Sequence, residues 1–265
     1  MIAAEGGRKG EGRLWVLWAV AGVAALACAV LPPLRQPQEY HQFADARGWL
    51  GIPHFQNVIS NLPFLFVGLA GLRRWRQAVT SVPGDFSSGN RWGLFFFFAG
   101  VMLTAPGSSY YHWNPTNRTL VWDRLPMAVS FMGLLAEVIR RRVSSSGGAR
   151  LVGPLQVAGA GSVAYWAWGF ENGRENLWPY VAVQFASILL IILMLTLYPR
   201  KFPSDRHLGW AVAWYAGAKV LEHWDAEVFS FGSWVSGHAL KHVFAAASAW
   251  CVVRMVAEDA RERDS

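Results

Sequence analysis

Eight apolar runs constrain this chain more than any motif in it, each near the ~20 residues an α-helix needs to cross the hydrocarbon of a bilayer. They cover roughly Leu14–Leu31, Phe55–Leu72, Trp92–Tyr111, Thr119–Ile139, Leu151–Trp168, Leu177–Tyr198, Leu208–Phe229 and Trp234–Val256. Charged residues are 15% of the chain, against roughly 25% in water-soluble domains. The expected fold is therefore all-α: a polytopic membrane helix bundle, with a seven-helix core and one extra N-terminal span. The connections leave no room for a soluble domain. The runs divide the chain into a tail, extra span and extracytoplasmic loop over 1–54, a seven-span domain over 55–256, and a cytoplasmic tail over 257–265. The polar, Gly/Ser-containing stretch 73–91 reads as a loop.

Basic residues set the orientation. Seventeen of the twenty-four Lys and Arg lie before the first run, after the second, fourth and sixth, or in the last turn of the eighth and beyond it. Only Arg35, Arg47, Arg118 and Arg174 lie in the other connections, while Arg124, Lys219 and Lys241 fall inside runs. The positive-inside rule then puts both termini in the cytoplasm. The same short clusters account for the net charge of +7 as a topology signal, so nucleic acid is not an expected partner. The first run, with Ala27-Cys28-Ala29 at its end, also suits a signal peptide, but we read it as a retained helix. Cys28 and Cys251 both sit within apolar runs, which argues against a disulfide framework.

Polar side chains within the runs are not scattered. Asn57, Ser60 and Asn61, then His112, Asp123, Glu222, His223 and Asp225, and finally His238 and His242, all fall toward the extracytoplasmic ends of five runs. Ionisable groups at membrane depth are costly, so their default reading is functional. His238 and His242, at i and i+4, present two imidazoles on one helix face, as a tetrahedral zinc site requires. His112, from the same layer, is the natural third ligand. A hydrogen-bonded histidine cluster between helices is the bland alternative.

Ser108 lies one helical turn before His112. It could donate a hydrogen bond to a developing oxyanion, or simply bond back to a helix carbonyl. Asp123 has two roles open to it: general base toward a metal-activated water, which we favour, or a group orienting a ligand histidine. Lys219, Glu222, Asp225 and Lys241 read as a charge network holding the last two runs in register. His41, Asp45 and His54 offer a second metal site, but read better as a solvated loop. The fifteen Trp and sixteen Phe fit an aromatic belt at the membrane interface.

GSSYYH followed by WDRLPM, with Asp123 eleven residues after His112, resembles the Ser-x-x-x-His and Asp-x-Leu-Pro-Met segment of the alkaline ceramidases. SGHALKH resembles their last-helix His-x-x-x-His, and NVISNLPF resembles their first core helix. The likeness spans Phe55 to Val256, and the wider superfamily includes the adiponectin and progestin receptors. It implies zinc on His112, His238 and His242, catalytic roles for Asp123 and Ser108, and a membrane lipid as substrate. The implied reaction is hydrolysis of the amide bond of ceramide to a sphingoid base and a fatty acid. A receptor-like protein of the same superfamily is the alternative. The acidic calcium-binding segment of eukaryotic members is reduced here to Asp45, with His54 where a Glu is expected, which argues against Ca2+.

Overall fold

The computed structural model of the chain describes residues 2–80 and 91–264. It is 81% helical, with no strand among the described residues. In chain order the helices are α1 (Ile2–Val30), α2 (Phe55–Ile59), α3 (Leu62–Thr80), α4 (Trp92–Trp113), α5 (Asn117–Arg142), α6 (Ser145–Glu171), α7 (Trp178–Leu197), α8 (Arg206–His223), α9 (Asp225–Ser230) and α10 (Gly237–Asp264). The long ones coincide with the apolar runs. Five segments, over Arg13–Val30, Phe55–Thr80, Trp92–Trp113, Trp178–Leu197 and Gly237–Glu262, are long and apolar enough to cross a membrane. The other long helices fall short of that mark for reasons the sequence supplies. Asp123 and Arg124 interrupt α5, Arg206, Lys219 and Glu222 interrupt α8, and Gly, Ser and Gln dilute α6.

The helices α3, α4, α5, α7, α8 and α10 share one apolar core, built around side chains such as Leu94, Phe98, Val138, Met194, Leu208 and Val252. Helix α6 closes a second cluster around Tyr111, Leu120 and Trp166. Helix α1 packs on α7 outside this bundle, with none of Arg13–Val30 buried. That is the seven-helix core with one added span. At the end of the bundle away from His112, Arg141 is buried and pairs with Asp205 and Asp259, each at 2.7 Å. Removing one partner of such a pair would leave the other charge buried and uncompensated.

The structure departs from the expected spans in four places. The run Phe55–Leu72 is broken at Ser60 and Asn61 between α2 and α3. Pro63 explains it, since its ring would clash with the Ile59 carbonyl four residues earlier and it has no N–H to offer that oxygen. The run Leu208–Phe229 is broken at Trp224, after which Asp225 opens α9. The expected tail over 257–265 is helical through Asp264, as the last turns of α10. The loop expected over 73–91 is helical as far as Thr80, and 81–90 lie outside the described residues.

Candidate metal centre

Two close helix crossings assemble the site. A Cβ at Gly107 of α4 would sit far inside the van der Waals radius of the Trp122 carbonyl oxygen on α5. Only glycine lets these helices approach there, bringing Ser108 and Asp123 to one place. A Cβ at Gly237 would likewise collide with the Leu221 carbonyl oxygen, so the start of α10 lies tight on α8. Helix α5 begins at its designated point because Thr116 and Thr119 form a reciprocal capping box. That cap follows the Asn114-Pro115 turn and fixes where Asp123 enters.

His112, His238 and His242 come together as the sequence pattern implies. Their candidate ligand atoms all lie within 4.8 Å of one another, and all three residues are buried. The ring centroids form a near-equilateral triangle of 4.9, 5.0 and 5.1 Å. The Nε2 atoms of His112 and His238 are 3.3 Å apart, and the buried Nδ1 of His112 has no hydrogen-bond partner. Imidazoles this close cannot satisfy one another fully, because a neutral ring has one donor and one acceptor. A cation at the centre would satisfy them.

The tautomer of His242 follows from its neighbours. Ser60 donates its hydroxyl hydrogen to the Asn57 carbonyl oxygen at 3.1 Å. Its oxygen is therefore left to accept from Nδ1–H of His242 at 2.8 Å. That leaves the Nε2 lone pair of His242 bare and available to a metal. A hydrogen bond from outside the ligand set that fixes ring orientation is the usual companion of metal-binding histidine. Three imidazoles match the nitrogen ligands zinc takes better than they match calcium or magnesium, which take oxygen ligands. The residues fit zinc.

Ser108 is buried, and with Asp123 of the facing helix it lines one cavity. Thr104 is the residue that bonds back within α4, to the Gly100 carbonyl at 2.9 Å. Asp123 is not among the residues positioned to hold the ion. The orienting role open to it is filled, for His242, by Ser60.

Ser108, Asp123 and His242 line the polar end of a cavity of about 310 Å³. The cavity continues between the helices past Val101, Phe131, Ile188, Val212 and Ala249. Its size lies at the lower end for small-molecule sites. Polar groups at one end of an apolar cleft suit a long amphiphile.

The segment between α1 and α2 covers the histidine triad. Phe43 packs its ring edge-on against His112 and His238, with centroids 4.7 and 4.6 Å away. His54 donates from Nδ1 to the His112 carbonyl oxygen at 2.9 Å. His41 engages Tyr111 and Asn117, at 2.9 Å each. Asp45 is held by the Arg47 fork at 2.8 Å through both oxygens. Burial would raise the Asp45 pKa, but this guanidinium holds it below the ordinary value. His41, Asp45 and His54 are therefore scattered among separate partners, which corrects the second-metal reading. Asp45 is buried, and His41 and His54 are half-buried.

The charge network is also smaller than expected. Glu222 pairs with Lys219 and, across to α10, with Lys241 at 2.6 Å. Asp225 has left it. One carboxylate oxygen accepts from the His238 N–H at 2.7 Å and the other from the Ala44 N–H at 3.0 Å. It thereby ties the start of α10 to the covering segment. Phe43 and the accepting role of Ser60 escape sequence reasoning. Phe43 sits in an aperiodic connection, whereas Ser60 carried a signal in its place one turn after Gln56-Asn57 and before Pro63. No protein-family model and no curated protein matches this chain.

Proposed function

We propose that this protein is an integral-membrane, zinc-dependent hydrolase that cleaves the amide bond of ceramide or a related lipid amide. One observation carries the reading: three buried imidazoles meet, and one of them, His242, lines the polar end of an apolar cavity together with the carboxylate of Asp123 and the hydroxyl of Ser108. The likeness of GSSYYH, WDRLPM and SGHALKH to the alkaline ceramidases supports it. His112, His238 and His242 would hold the ion. Bound zinc supplies Lewis-acid chemistry, polarising a carbonyl and making water acidic near neutral pH.

The chain's own groups supply the rest. The Asp123 carboxylate accepts a proton from the attacking water and returns it to the departing amine. The Ser108 hydroxyl donates to the carbonyl oxygen as that atom gains charge. A C–O bond forms, the C–N bond breaks, and the products are a fatty acid and a free amine. Phe43 and the covering segment exclude water from above, so the lipid enters sideways from the bilayer. The positive-inside pattern supports placing the termini in the cytoplasm and this site at the extracytoplasmic side.

The test is metal content together with fatty acid release from ceramide by the purified protein. Wild type is expected to carry one zinc per chain and to release fatty acid. H238A/H242A should lose the metal. D123N should keep zinc and lose about 10²–10⁴-fold in rate, the usual contribution of a positioned acid–base group. Stoichiometric zinc in the double variant, or equal turnover by D123N, would refute the proposal. Zinc without any turnover in wild type would instead favour the receptor-like reading.

A further inference from the structure

Arg124, next to the proposed base, is the cavity-lining cation that no carboxylate takes. Lys219 and Lys241 share Glu222. Arg124 forms no ion pair with any described residue, and its one hydrogen-bonded nitrogen, Nη2, donates to the amide oxygen of Gln36 at 2.5 Å. Its Nη1 has no hydrogen-bond partner among the described residues, although the residue is only 5% exposed. The rings of Trp166 and Tyr180 hold the guanidinium in place, with centroids 4.4 and 4.8 Å from its central carbon. The lining of the cavity thus contains three cations against two carboxylates, Asp123 and Glu222. A buried cation kept rigid by aromatic faces, with an unused donor, is built to receive an anionic oxygen.

Resting on the hydrolase reading, we propose that Arg124 binds an anionic group on the amine side of the substrate. The preferred substrate is then a lipid amide whose head group bears a carboxylate, phosphate or sulfonate, rather than neutral ceramide. Ceramide falls within the same reaction class, but it leaves Nη1 unanswered. The competing source of an anionic oxygen at this position is the carboxylate of the released fatty acid.

The test uses the zinc-loaded full chain and two probes: an N-palmitoyl amino acid with a free carboxylate, and its methyl ester. Wild type should favour the carboxylate probe in kcat/KM by about ten- to hundredfold, the span expected of a hydrogen bond to a charged group. R124Q should bring that ratio near one, chiefly through KM, and R124K should leave it intermediate. Should R124Q fail to fold, the R124K ratio carries the comparison. A wild-type ratio near one with both probes hydrolysed overturns the role of Arg124 and leaves the hydrolase reading standing. A ratio unchanged in R124Q also overturns it, and if inhibition by added palmitate weakens there, Arg124 serves the product. Hydrolysis of neither probe, nor of ceramide, sinks the hydrolase reading itself.

Discussion

Replacing Ser60 by Ala removes the acceptor that fixes His242, and the structure says how much this should cost. The Nδ1–H of His242 would lose its 2.8 Å partner within a residue that is only 5% exposed. A buried donor left unpaired costs about 1–3 kcal/mol. Loss of an outer hydrogen bond to a metal-binding histidine weakens metal affinity about 10–100-fold, or roughly 1.4–2.7 kcal/mol. The two estimates agree, so the zinc Kd should rise by that factor. The other bond of Ser60 matters less, because the Asn57 carbonyl oxygen also accepts from the Asn61 side chain at 2.8 Å. In the metal-free protein the His242 proton can move to Nε2 and leave no donor unpaired at Nδ1, so that state should lose only about 1 kcal/mol, one ordinary hydrogen bond. Competition titration against a chromophoric chelator measures the affinity, and thermal unfolding of the metal-free protein measures the rest. S60T retains the hydroxyl and should recover most of the affinity. A zinc Kd in S60A within about twofold of wild type would refute the tautomer argument. So would equal losses in S60A and S60T.

Two further outcomes follow from packing. G107A forces a methyl group against the Trp122 carbonyl oxygen, and should lower stability by about 1–3 kcal/mol through overpacking; a thermal melt in detergent checks this, and an unchanged melting temperature would contradict the close crossing. Ala249 lines the cavity two helical turns beyond His242, so A249L should shift the preference toward shorter acyl chains. Relative turnover of long against short amides should fall by about tenfold, the effect of one misfitting methylene, with zinc content unchanged. An unaltered chain-length profile would show that the acyl chain lies elsewhere.

Much of the architecture could be read from hydropathy alone, because a helix in lipid must satisfy its backbone internally and leaves a long apolar run. The convergence of His112, His238 and His242 was legible too, since their depth in the runs constrains them even at long sequence separation. What stayed hidden depended on partners that no local pattern names. Asp225 looked like part of an intramembrane charge network, yet its carboxylate caps α10 and holds Ala44. His41 and His54 looked solvated, and are instead bonded to Tyr111, Asn117 and the His112 carbonyl. Arg124 counted only as a charge misplaced within a span. Its aromatic holders, Trp166 and Tyr180, come from α6 and α7 and are distant in sequence.

Both unexpected helix breaks fall beside the histidine triad. Irregular backbone at membrane depth is tolerated where it is buried in protein or lines a cavity, and here each break carries out a task a continuous helix could not. At Ser60 and Asn61, the interruption between α2 and α3 frees the Asn57 carbonyl to accept from two side chains, which leaves the Ser60 oxygen to hold His242. At Trp224, the turn into α9 swings Asp225 across to the N–H of His238. Each break thus bears on one member of the His238/His242 pair, through its ring in one case and its backbone in the other. The two departures from regular helix are best understood as the means by which a mostly apolar bundle fixes two imidazoles of a triad that could hold one ion.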